Sequence, residues 1–256
     1  MSILRVENLT KNFGGVLALS DLTFEVEPGK VFGIIGPNGS GKTTFFNLTT
    51  GFLRPDRGRI LFDGKDMTRL PSHRIASSGI VRTYQSTSLF DKLSVADNVR
   101  IGTHSRTCSG VFDAIFSRRK TRLDREYAGK RVAELLAFTG LAHEEGERAE
   151  SLSYGDQRRL EIAIALATDP KLLLLDEPAA GMNQAESEAL ADLVRELRSK
   201  DITVLIVEHN MKLMMKLCDR ILVLDHGIRL VEDVPENIIK NPEVIKVYFG
   251  EELEFA

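Results

Sequence analysis

Tryptophan is missing from the 256 residues, and cysteine occurs only at Cys108 and Cys218. Two thiols so far apart, outside any CxxC spacing, give no basis for a disulfide framework or a structural zinc site. Both are read as reduced thiols, Cys218 as core packing. Long hydrophobic runs are also missing. The strongest, at 31–35, 172–175 and 203–207, fall far short of the roughly 20 residues a membrane-spanning helix needs. The chain is therefore expected not to cross a bilayer by itself. Its first residues, MSILRVENLTKNF, alternate apolar and polar positions like a strand. They lack the charged-then-apolar layout of a secretory signal, which predicts a cytosolic protein. Charge of one sign is scarce as well: 34 Lys and Arg against 37 Asp and Glu leave a net charge of -3, with no global field to draw in nucleic acid. No repeat or low-complexity tract marks a linker between separate domains.

What is present is a 43% apolar composition, enough for a substantial buried core at this length. Residues 3–6, 22–26 and 31–35 read as strands, with a Pro28-Gly29 turn before the third. That third run has no polar alternation, the mark of a strand buried on both faces at the centre of a parallel sheet. A glycine-rich segment follows, then a helical stretch over 43–50 closed by Gly51. Residues 57–63 read as a strand returning to the amino-terminal sheet through an Asp63-Gly64 turn. From about 90 to 165 strand patterns give way to helical ones, at 131–138 and 157–167. Two more buried-type strands, 172–175 and 203–207, enclose a helix over 186–200, a βαβ unit. A hairpin, 220–224 with 228–231, and two short helices finish the chain.

Gly36-Pro37-Asn38-Gly39-Ser40-Gly41-Lys42-Thr43 fits the P-loop pattern and stands where that pattern requires, after a strand and before a helix. Glycines let successive N–H groups face one phosphate cluster, and the helix start adds positive potential. The candidate phosphate-binding set runs through Thr44. Lys42 is expected to reach the β- and γ-phosphates of ATP, and Thr43 to offer its hydroxyl to Mg²⁺. The strand at 172–175 ends in Asp176 and Glu177, whose side chains are expected to diverge because they alternate along a strand. Asp176 suits an outer-sphere Mg²⁺ contact. Glu177, at the carboxyl end of the strand where α/β sheets bind ligands, suits polarising the attacking water.

With these motifs the chain resembles, over essentially its whole length, the ATP-binding subunits of ABC transporters. Leu152-Ser153-Tyr154-Gly155-Asp156 is similar to the LSGGQ signature of that family. The resemblance implies that Ser153 and Gly155 bind a phosphate of ATP held by a partner subunit. Tyr154 and Asp156 depart from the commoner Gly and Gln. A carboxylate near a γ-phosphate is repulsive unless paired, with Arg158 or Arg159 as the available partners. The resemblance also makes Gln85 the glutamine that touches Mg²⁺ or water, and His209 the switch histidine at the γ-phosphate. It makes Phe13 the aromatic stacked on adenine, and Ala179-Ala180-Gly181-Met182-Asn183 the D-loop. The implied fold is α/β: a P-loop NTPase with a RecA-like core, an amino-terminal antiparallel β subdomain and an inserted α-helical subdomain. The expected boundaries are 1–88 and 166–256 for core and β subdomain, with 89–165 helical, in one ABC ATPase domain spanning 1–256.

Within the family, Gly79-Ile80-Val81-Arg82-Thr83-Tyr84-Gln85, Glu208-His209-Asn210-Met211-Lys212 and the closing Asn241-Pro242-Glu243 tract look most like the branched-chain amino-acid importers. A basic insertion at 103–131 favours the larger of that importer's two ATPase subunits over the ATPase of the lipopolysaccharide exporter. The resemblance implies a head-to-tail dimer with a second ABC ATPase and integral membrane permease subunits. It implies, indirectly, an extracytoplasmic solute-binding protein, and a place at the cytoplasmic face of the membrane; no nucleic acid is expected. The competing classes are a soluble ABC ATPase, such as an iron–sulfur cluster assembly factor, and a nucleotide sensor without turnover, which Glu177 argues against. Phe112, Ile115 and Phe116 sit at helical spacing in the insertion, and Met211, Met214 and Met215 are read as helix packing.

Overall fold

The computed structural model describes residues 2–83, 89–103 and 118–249. Two compact units divide the chain. The first comprises Met1–Arg82, Lys171–Ala180 and Val194–Ala256, the second Thr83–Pro170 and Gly181–Leu193.

In the first unit, β1 (Leu4–Phe13), β2 (Val16–Val26), β4 (Arg57–Phe62) and β5 (Lys65–Asp66) form an antiparallel sheet in the order β2-β1-β4-β5. β1 extends past the strand read at 3–6, as the alternation through Phe13 allows, and β2 starts well before the strand read at 22–26. Register shifts between Val6 and Leu9, Leu9 and Lys11, and Lys11 and Asn12 interrupt the pairing. Each extra residue at a bulge flips the faces that follow.

The second sheet of this unit contains β3 (Val31–Ile35), β6 (Ile80–Arg82), β7 (Leu172–Asp176), β8 (Thr203–Val207), β9 (Arg220–Asp225) and β10 (Ile228–Asp233). Its order is β10-β9-β3-β8-β7-β6. All neighbours are parallel except β9 and β10, which pair antiparallel as the expected hairpin. Every residue of β3, β7 and β8 is buried, as their unbroken apolar runs require. Around the sheet lie α1 (Lys42–Thr49), α2 (Ser72–Ser77), α7 (Met211–Leu217), α8 (Pro235–Ile238) and α9 (Pro242–Phe249). Phe24 of β2 stacks on Phe32 of β3, ring centroids 5.3 Å apart, and meets Phe45 of α1 at the same distance. These rings join both sheets to the helix after the glycine-rich loop, each burial worth about 1.5–3 kcal/mol.

In the second unit, α3 (Val95–Thr103), α4 (Arg118–Phe138) and α5 (Tyr154–Leu166) pack through Val95, Val99, Val132, Leu136 and Leu160, all buried. Asn98, fully buried, donates to the Phe90 and Ser94 carbonyls and accepts from the Phe90 amide, fixing the loop before α3. α6 (Gln184–Arg198) begins in this unit. No helix among the described residues is long and apolar enough to cross a membrane.

Candidate functional site

Sheet order decides the site. β3, β8 and β7 are adjacent and parallel, so the segments at their carboxyl ends, 36–41, 208–210 and 177–180, lie side by side at one sheet edge. The loop after β3 curls because glycine stands where no other residue fits. A Cβ on Gly36, at φ +155°, would meet the Leu224 carbonyl oxygen at 2.1 Å. One on Gly41, at φ +102°, would meet the Ala18 oxygen at 2.5 Å. The Ser40 carbonyl accepts from the Gly227 amide of the β9–β10 turn at 3.1 Å, pinning the loop to the sheet.

Lys42 is 6% exposed, and its ammonium donates to the carbonyls of Gly36 at 2.8 Å and Pro37 at 2.9 Å. Burial lowers its pKa, while the nearby carboxylates of Glu177 and Asp176 oppose that shift. Pro37 and Thr44 are half-buried and Ser40 is buried, whereas Asn38, Gly39 and Thr43 are exposed. The Lys42 ammonium is thus held inside the loop by the loop's own carbonyls. Phe13, at the tip of the β1–β2 hairpin, is 44% exposed, with the Lys11 ammonium 5.3 Å from its ring centroid. Its face is open.

Asp176 and Glu177 do diverge, but strand alternation is not the cause. β7 stops at Asp176, and Glu177 takes a left-handed backbone, φ +46°. Its amide donates to Val207 at 2.8 Å, and its carbonyl accepts from the Ala180 amide at 3.1 Å, closing a turn. Asp176, 3% exposed, accepts from the Arg82 guanidinium at 2.5 Å. Arg82 also donates to Asn47 of α1 at 2.7 Å and lies over the Phe46 ring. Glu177 instead meets His209, Oε1 to Nε2, at 3.0 Å.

Two groups at this edge escaped the sequence reading. In the sequence Arg82 stands out only as one member of the 79–85 tract, and its partner Asp176 is brought to it by the pairing of β6 with β7. Glu208 is 3% exposed, and burial raises its pKa against the pull of the Ala179, Asn210 and His209 amides. Nothing in its sequence context sets it apart from an exposed acid before a helix. Gln85 falls outside the described residues, as do Phe112, Ile115, Phe116 and Cys108.

The second unit carries the remaining candidates. Ser153 is the N-cap of α5: its hydroxyl accepts from the Asp156 amide at 3.2 Å and donates to the Asp156 carboxylate at 2.7 Å. Of the two arginines offered for Asp156, it is Arg159 that pairs, at 3.3 Å. Arg158 turns to Glu161 at 2.9 Å and donates to the Tyr154 hydroxyl at 2.7 Å. Gly155 is buried, and a Cβ there would lie 3.0 Å from Glu186. Asn183 caps α6 reciprocally: its Oδ1 accepts from the Glu186 amide and its own amide donates to the Glu186 carboxylate, both at 3.0 Å. Met214 is fully buried, in keeping with packing.

A buried parallel strand feeding a glycine-pinned loop, with one carboxylate ending and a second just following the strand two places along the same sheet, defines a P-loop NTPase. A model of the ABC transporter family matches residues 19–180. The chain belongs to that family and is an ATP-hydrolysing ABC cassette. It is 42% identical over 250 residues to the high-affinity branched-chain amino acid transport ATP-binding protein LivG of Escherichia coli K12, covering 97% of this chain and 98% of LivG. It is 43% identical over 254 residues to BraF of Pseudomonas aeruginosa, named for the same transport, covering 97% and 98%. The lipopolysaccharide export protein LptB of Haemophilus influenzae stands lower, at 34% over 254 residues, covering 99% and 100%. Among solved structures, the ADP conformation of the ABC transporter cassette MJ1267 superposes with a TM-score of 0.86 at 35% identity, covering 98% of this chain and all of that one.

Proposed function

We propose that this cassette is the motor subunit of an importer for branched-chain amino acids or related small solutes, working at the cytoplasmic face of the membrane through separate permease subunits. Near-complete alignment with LivG and BraF, at higher identity than with LptB, favours import over the exporter reading. The observation that carries the chemistry is the Glu177–His209 contact beside the P-loop.

Loop amides and Lys42 grip the terminal phosphates, so that the ammonium exchanges its bonds to the Gly36 and Pro37 carbonyls for phosphate oxygens. Phe13 stacks on the adenine. The Thr43 hydroxyl is a hard oxygen donor that would hold Mg²⁺ directly, and the Asp176 carboxylate, already bonded to Arg82, would meet it through one of the waters this ion keeps. Held there, with Gln85 as the resemblance implies, Mg²⁺ would supply charge neutralisation on the phosphates. Glu177 takes the proton of the attacking water, and His209 fixes the carboxylate and faces the γ-phosphate. Ser153 and Gly155 complete the ATP site of a second ABC ATPase in a head-to-tail dimer, whose closure on two ATP molecules drives the permease.

Glu177→Gln tests the chemistry. ATP binding is expected to persist while turnover falls by about a hundredfold or more; an unchanged turnover rate refutes Glu177 as base. Fractionation tests the assembly. The chain should pellet with membranes in cells that make its permease partners and stay in the supernatant without them, whereas a soluble cluster-assembly factor stays in the supernatant in both.

A further inference from the structure

We propose that Glu208 is a positioning residue for hydrolysis: its buried carboxylate ties the turn after β7 to the turn after β8 and thereby sets the Glu177–His209 contact. This inference rests on the roles of Glu177 and His209 proposed above.

Glu208 directly follows β8, and each of its oxygens serves a different segment. Oε1 accepts the Ala179 amide at 2.6 Å, two residues beyond Glu177. Oε2 accepts the His209 amide at 3.1 Å, with the Asn210 amide at 3.5 Å from the same oxygen. All the groups it meets here are donors. Only a side chain with acceptors at both ends satisfies them, and an amide in its place would turn a donor toward one of the two segments. A buried carboxylate costs free energy unless its hydrogen bonds repay it. An apolar residue of similar size would avoid that cost but leave these amides unpaired. What an apolar residue lacks is the bridge.

The bridge matters because the turn it holds is strained. Glu177 sits at φ +46°, a left-handed region that residues other than glycine seldom adopt, so the turn persists only if its surroundings hold it. The tie from Glu208 to Ala179 reaches that turn directly. Through its other oxygen the same side chain fixes the amide of the residue whose imidazole meets Glu177 at 3.0 Å. A displacement of about 1 Å in such a pair costs up to a hundredfold in rate.

The test is a double-mutant cycle on the full chain, reading MgATP turnover and equilibrium binding of a fluorescent ATP analogue for wild type, Glu208→Gln, His209→Ala and the double variant. Glu208→Gln should lower kcat by roughly ten- to hundredfold with nucleotide affinity within about twofold, and should have less than about a twofold effect once His209 is Ala. A purely structural residue would lower kcat by the same factor in both backgrounds, and that result overturns the inference. So does a Glu208→Gln kcat within twofold of wild type. If His209→Ala alone turns over like wild type, the reading of the pair fails and takes this inference with it. Should Glu208→Gln not fold, Glu208→Asp keeps the charge but is too short to span both segments, and is judged by the same criteria.

Discussion

The Ser153 hydroxyl donates to the Asp156 carboxylate at 2.7 Å while the Asp156 amide donates back to that hydroxyl at 3.2 Å. The acid that replaces the usual glutamine of the signature is thus part of a helix cap, and Arg159 balances its charge at 3.3 Å. A serine hydroxyl has one proton to give, and here it is committed within the chain. Any phosphate that takes up Ser153 has to displace Asp156.

Two substitutions separate cap from charge. Ser153→Ala should cost about 1 kcal/mol in urea denaturation, the usual worth of an N-cap. Asp156→Asn removes the charge yet leaves an acceptor for the hydroxyl, so stability should change by less than about 0.5 kcal/mol. In a Glu177→Gln background, size-exclusion chromatography should show the Asp156→Asn chain associating at lower ATP concentration. Association at equal or higher ATP would show that the carboxylate does not oppose the phosphate.

Arg82 and Asp176 are both almost fully buried, with side chains 6% and 4% exposed. Removing one partner strands the other in a medium that solvates it poorly, and such losses run at about 3–5 kcal/mol. Arg82→Met is therefore expected to destabilise by that order in urea denaturation. Arg82→Met combined with Asp176→Leu should recover most of the loss, because an apolar pair of similar volume needs no charge solvation. A single variant that denatures like wild type would mean that water reaches Asp176.

The parallel core was legible because burial on both faces leaves an unbroken apolar run: 31–35 and 203–207 coincide with β3 and β8. The P-loop was legible because its glycines, lysine and flanking elements obey one local geometry. What escaped depends on distant partners. β5 and α2 are too short for a periodicity to emerge. The left-handed backbone of Glu177 is imposed by the turn between β7 and the segment after β8, which no local pattern encodes. Arg82 needs Asp176, 94 positions away, and Glu208 needs Ala179, 29 positions away, before either has a meaning.

Lys42 gives a prediction with two readouts. On the role proposed for Lys42, Lys42→Met would remove charge-assisted bonds to phosphate, each worth about 1.5–3 kcal/mol, so ATP affinity should fall by at least about tenfold in equilibrium binding. Stability should move the other way. Burial holds the folded-state pKa of Lys42 below the ordinary 10.5, which means that folding disfavours the ammonium. That penalty is fully present below the lowered pKa and disappears as pH rises through it toward 10.5. The stability gained by Lys42→Met should therefore be largest near neutral pH and shrink in alkaline buffer. A gain independent of pH would show that the ammonium is solvated in the free chain.

Cys218 tests the packing behind the same loop. Its thiol is buried, with Sγ 3.9 Å from the Met214 sulfur. Gly33 of β3 leaves room for both: a Cβ there would come within 2.5 Å of the Met214 methyl and 2.8 Å of Sγ. Burial raises the thiol pKa well above its ordinary value, and alkylating reagents attack the thiolate. Iodoacetamide at pH 8 should therefore leave Cys218 unmodified in the folded protein and label it fully in denaturant, as peptide mass spectrometry would read. Because the thiol becomes reachable only when α7 lifts from β3, its labelling rate across a urea series should follow the unfolding curve of the parallel sheet. Rapid labelling without denaturant would place Cys218 at a surface, and the sulfur contact beneath Gly33 could not then hold.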